Sequence, residues 1–100
     1  MAADFFIADT EDGRLADDPT QDALLVLVAG LNHDDNTFVT INPADESSAW
    51  YASVSLLSDG GYEVELADPD QHEHQLTAHT DHEKIAQHVS NWLATRRHPR

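Results

Sequence analysis

Cysteine is absent from this chain of 100 residues, which excludes disulfides, thiolate metal sites and a cysteine nucleophile together. Lysine is nearly absent, with Lys84 the sole example. Long apolar runs are missing too: the longest, Ala23 to Ala29, falls well short of the roughly 18 residues that a bilayer-spanning helix needs. Met1-Ala2-Ala3-Asp4 carries no basic stretch of the kind that opens a secretory signal, so the expectation is a cytoplasmic protein without membrane contact. Glycine occurs four times, always at a turn or a helix end. No phosphate-binding loop, dinucleotide fingerprint or GxSxG elbow is present, and the serines near Ser47, Ser48 and Ser53 have no His and Asp constellation around them. The residues therefore point away from an enzyme and require no cofactor.

What is abundant is negative charge. Nineteen Asp and Glu stand against five Lys and Arg, for a formal charge of -14. Three of the five cations, Arg96, Arg97 and Arg100, lie in the last five positions, so the body of the chain opposes only Arg14 and Lys84 to all 19 carboxylates. Such a body repels nucleic acid and anionic membranes and attracts a basic protein partner. Salt adaptation of a small structural or dimerising domain is the competing explanation, and it predicts folding that strengthens steeply with molar salt.

The stretch Ala49 to Ala67 alternates large apolar residues with small or charged ones on both sides of Asp59-Gly60-Gly61, the pattern of a β-hairpin. Trp50, Ala52, Val54 and Leu56 share one face with Tyr62, Val64 and Leu66. Tyr51, Ser53, Ser55, Glu63 and Glu65 take the other. Around the hairpin, Asp4 to Ala8 and Thr37 to Asn42 read as strands. His72 to His79 reads as a polar edge strand, with His72, His74, Leu76 and Ala78 on one face and Glu73, Gln75, Thr77 and His79 on the other. Asp9 to Asp18, with five carboxylates in ten residues, reads as a solvated acidic loop.

Two helices complete the inventory. Asp18-Pro19-Thr20-Gln21 predicts a helix start with Asp18 as cap, and the helix runs to about Leu31. Leu24, Leu25, Val26, Leu27, Val28 and Leu31 make it apolar over most of its circumference, so it is either buried on two sides or partly covered by a second copy in a homodimer. The last helix has Thr80 with Glu83 as a capping box and Ile85, Val89, Trp92 and Leu93 as its apolar stripe. Arg96 and Arg97 fall where the helix dipole favours cations, which explains the basic tail at residues 96–100 without invoking nucleic acid. The fold expected for residues 1–100 is a single α+β domain of two layers, a largely antiparallel sheet of about five strands with two helices on one face.

Seven histidines raise a metal-binding alternative, centred on His72-Glu73-His74 with His79 and His82 close by. The strand alternation sets His72 and His74 on the opposite face from His79, so convergence requires a bend and no metal ligand is assigned. On the uncovered face, Tyr51 is the candidate aromatic anchor for a partner, with Glu63, Glu65 and Glu73 supplying charge. The acidic loops holding Asp34, Asp35, Asp45 and Glu46 are further candidates.

Asp35-Asn36-Thr37-Phe38-Val39, Gly60-Gly61-Tyr62-Glu63-Val64-Glu65 and the closing helix with Trp92 give the chain, over about Asp17 to Ala94, a further character. In these features it resembles the small acidic immunity proteins encoded beside polymorphic toxins in actinobacteria, the first-numbered of the immunity-protein families. The resemblance implies a cytoplasmic protein that binds and blocks a cognate toxin, often a nuclease or deaminase.

Overall fold

A computed structural model describes residues 3–96; Arg97 and Arg100 of the expected basic tail lie outside them. The strands are β1 (Phe6–Thr10), β2 (Leu15–Asp17), β3 (Phe38–Pro43), β4 (Tyr51–Leu56), β5 (Tyr62–Asp68) and β6 (Glu73–His79), and the helices are α1 (Gln21–Ala29) and α2 (His82–Ala94). All pairings are antiparallel and the sheet order is β2-β1-β3-β4-β5-β6. Both helices pack together over one face, giving the two-layer α+β domain expected, with one strand more.

The β4–β5 hairpin forms as its alternation dictates. Ala52, Val54, Val64 and Leu66 are at most 1% exposed, and their neighbours Ser53, Ser55, Glu63 and Glu65 are half-buried on the other side. Gly60 closes the turn at φ +91, a conformation that a Cβ disfavours, and Asp59 Oδ1 accepts the Gly61 N–H at 2.9 Å. The helical layer buries Leu24, Leu27 and Val28 of α1 and Ile85, Ala86, Val89, Trp92 and Leu93 of α2 against these strands. Phe6, Trp50 and Trp92 meet edge to face, with centroids 6.2 and 5.7 Å apart, and knit β1, the residue leading into β4, and α2 into one core.

Several expectations need correction. Within the acidic segment Asp9 to Asp18, Leu15–Asp17 form β2, which pairs with β1. Its end is fixed by Asp18, at φ 46, whose carboxylate accepts the N–H groups of Asp4 (2.8 Å), Phe5 (2.8 Å) and Phe6 (3.0 Å). Asp18 is thus spent on β1, and Thr20 caps α1 by accepting from Ala23 N at 3.1 Å. That helix stops at Ala29, with Val26 left 64% exposed and Leu25 half-buried. Asp81, one residue beyond Thr80, caps α2.

The largest correction concerns the faces of β6. A single 3₁₀ turn, Pro69–Gln71, followed by His72 in the left-handed region at φ 52, brings Glu73 opposite Asp68. Since Asp68 follows Val64 and Leu66 on the covered side, Glu73, Gln75 and Thr77 point toward the helices, and His74, Leu76 and Ala78 take the open face. Glu73 is therefore not part of the open surface.

Candidate functional site

The face turned away from the helices is best followed along the sheet register. One row across all six strands reads Leu15, Asp9, Thr40, Ser53, Glu65 and Leu76. A parallel row carries Phe38, Ser55, Glu63 and Ala78. The middle strands thus supply the short hydroxyl side chains of Thr40, Ser53 and Ser55, with the exposed ring of Phe38 beside Ser55; along the first row carboxylates stand on either side and leucines lie at the margins. Leu15 and Leu76 are 69% and 56% exposed.

At the β4–β6 end of this face three side chains meet. Glu65 Oε2 accepts from the Tyr51 hydroxyl at 3.1 Å and lies 2.8 Å from His74 Nε2. The hydrogen bond from His74 holds the Glu65 pKa below its ordinary value, against the opposing effect of burial and with help from Tyr51. In return the hydrogen bond to Glu65, with burial and the Glu65 charge, pushes the Tyr51 pKa up. Glu65 is thereby kept ionised and Tyr51 kept as a neutral, oriented ring. Among the described residues no hydrogen bond reaches Glu65 Oε1 or the Glu63 carboxylate, so both can accept from an incoming cation.

Only part of the predicted set gathers here. Tyr51, Glu63 and Glu65 share the open face. Glu73 is on the other side, where it joins Asp68 around Arg96. Burial works against ionisation of Glu73. The nearby Trp92 indole N–H, although outside hydrogen-bonding geometry, and the donors on Arg96 and Gln75 outweigh it and lower the pKa. Arg96 Nη2 lies 3.0 Å from Asp68 Oδ2, both side chains are 9% exposed, and the guanidinium stacks 3.6 Å from the Trp92 ring centroid. Its Nη1 also donates to the Trp92 carbonyl, so the cation closes the end of α2 as well as pairing with the acids.

The loop acids lie at opposite ends of β3. Asp34 and Asp35 precede it, on an Asx turn in which Asn32 Oδ1 accepts both their N–H groups. Asp45 and Glu46 follow it. Asp45 accepts from Ser47 N and Oγ at 2.9 and 2.8 Å and lines a concavity shared with Phe5, Trp50, Asp68, Asp70 and Arg96. These four acids do not converge on Tyr51. Among the described residues no three His, Asp or Glu side chains are grouped to hold a metal ion. His74 is engaged with Glu65, His79 Nε2 lies 2.9 Å from Thr77 Oγ1, and His82 Nε2 lies 2.7 Å from Tyr62 Oη.

His74 is the member of the central cluster that the sequence analysis did not assign to the partner surface. Its parity with Leu76 was visible in the alternation; the register that sets it beside Glu65 depends on the Pro69–Gln71 turn. No helix among the described residues is long and apolar enough to cross a membrane. Comparisons with protein-family models, curated proteins and solved structures gave no match to this chain.

Proposed function

We propose that this is a non-enzymatic binding protein whose open sheet face docks on a basic protein partner, acting as an inhibitor in the manner of the immunity proteins it resembles. The observation that carries the reading is the Tyr51–Glu65–His74 cluster, which presents an oriented aromatic ring beside an ionised carboxylate on a flat surface. Tyrosine contributes large contact area at low entropy cost, which suits it to anchor an interface. Glu63 and Glu65, with Asp9 across the hydroxyl side chains, provide charge complementarity, and the overall charge of -14 accelerates encounter with a cation-rich surface. The short side chains of Thr40, Ser53 and Ser55 leave room for the partner's Lys and Arg stems to lie close to the sheet. A cognate toxin that uses a basic groove to hold nucleic acid has the required chemistry.

The test uses the polypeptide encoded by the adjoining reading frame as probe, titrated calorimetrically against this protein at low and at high salt. Binding that weakens with salt, and that falls at least about tenfold in the Glu63→Lys/Glu65→Lys double variant, supports the reading. Affinity unchanged by the double reversal at low salt rejects the open face as the docking site.

A further inference from the structure

The two edges of the sheet are finished differently. The β2 edge is three residues long and is terminated by Asp18 in a left-handed conformation. The β6 edge runs through seven residues in unbroken register from Glu73 to His79, with no proline, glycine, lysine or bulge to blunt it.

The direction of its main-chain groups follows from the hydrogen bonds of the preceding hairpin. Leu57 N–H donates to the Gly61 carbonyl at 2.7 Å, and Leu56 N–H turns the other way, to Thr37. Main-chain groups alternate along an antiparallel strand. Residues 61, 63, 65 and 67 therefore face β4, and Tyr62, Val64, Leu66 and Asp68 face β6. Their register partners His79, Thr77, Gln75 and Glu73 are consumed inside the sheet. The N–H and C=O groups of His74, Leu76 and Ala78 point outward, and no hydrogen bond among the described residues reaches them.

We propose that two copies of the protein associate through this edge, their β6 strands pairing antiparallel about a twofold axis at Leu76. That register sets Leu76 against its own copy and His74 against Ala78, so every outward main-chain group finds a partner and the two sheets continue as one. The side chains agree with it. Leu76, 56% exposed in the single chain, meets its symmetry mate on the open face. On the helix side the same register brings Gln75 to Thr77 and Glu73 to His79, polar or oppositely polarised pairs. No carboxylate occurs from His74 to Thr80, so a strongly acidic chain meets its copy here without opposing like charges at the centre of the contact. The association goes beyond the partner surface proposed above and leaves it free: two Tyr51–Glu65–His74 clusters would stand on one uninterrupted face.

The experiment is sedimentation velocity on the full chain over a range of concentrations, with far-UV circular dichroism as the check on folding. A concentration-dependent dimer is expected. Leu76→Lys sets two ammonium groups directly opposite and raises the dimer dissociation constant at least about tenfold without altering the fold. Leu76→Pro removes an outward N–H that serves no bond inside the chain and has the same effect; should it disturb folding, Leu76→Lys carries the test. Val26→Lys, on the exposed side of α1, leaves the dimer intact. A wild-type protein that stays monomeric at every concentration overturns the proposal, as does a dimer that survives Leu76→Lys or dissolves in Val26→Lys.

Discussion

Glu65 and Glu73 invite comparison because so much about them is alike. They sit on neighbouring strands, each beside an aromatic ring and a basic side chain, and their own side chains are both 31% exposed. They differ in the burial of the base. Glu65 pairs with His74, which is 59% exposed, and Glu73 pairs with Arg96, which is 9% exposed, lies over Trp92 and also neutralises Asp68. The exposure of a carboxylate thus says little about its role; whether its partner can be released to solvent separates an acid available for docking from one committed to the fold.

The strongest way to break this comparison is to remove Arg96. Arg96→Met retains much of the contact with Trp92 but leaves Asp68, 9% exposed, without its cation, and should lower unfolding stability by about 3 kcal/mol in a urea titration. A loss below about 1 kcal/mol would make the covered cluster as dispensable as the open one. Next in size is Asp18→Ala, which takes the acceptor from three main-chain donors at the start of β1 and should cost about 2 kcal/mol by the same measurement.

Acid sharpens the comparison from another side. The pKa values of Glu65 and Glu73 are both lowered from an ordinary 4.5, so the unfolded chain binds protons more readily than the folded one. Their contribution to stability is complete above the ordinary value and drains away as pH falls through it toward the lower folded values. Unfolding midpoints measured from about pH 6 down to pH 3 should therefore decrease, and Glu73→Gln or Glu65→Gln should each flatten that decline. The smallest effect belongs to Glu65→Gln at neutral pH: stability within about 0.5 kcal/mol of the wild type, with the loss appearing in affinity for the basic partner. A larger stability loss would mean that the open cluster is structural too.

Where local pattern decides, the sequence was sufficient. The stripe Ile85, Val89, Trp92 and Leu93 is buried as its periodicity nominates, and so are the nominated residues of the hairpin from Ala49 to Ala67 except Leu56, which is half-buried. What escaped was settled by contacts distant along the chain. β2 has one large apolar residue, Leu15, in a run of carboxylates, and it exists because β1 lies beside it and Asp18 closes its end. The β6 alternation sets Leu76 and Ala78 opposite Glu73, Gln75 and Thr77, and hydropathy alone nominates the wrong face for the interior. The tight turn at Pro69–Gln71 fixed the phase, moving Glu73 away from Tyr51 and putting His74 in its place. The caps slipped by one or two residues because Asp18 and Thr80 had competitors in Thr20 and Asp81.

The Asp18 carboxylate also bears on the time for which the chain's first strand stays closed. Amides that lead into a strand ahead of its ladder ordinarily open readily, and they exchange with solvent almost as fast as in a peptide. Here the N–H groups of Asp4, Phe5 and Phe6 are all gathered on one side chain fourteen positions or fewer away, which also ends the neighbouring strand. Those amides should share the slow deuterium uptake of the sheet interior, and opening one of them means opening all three at once.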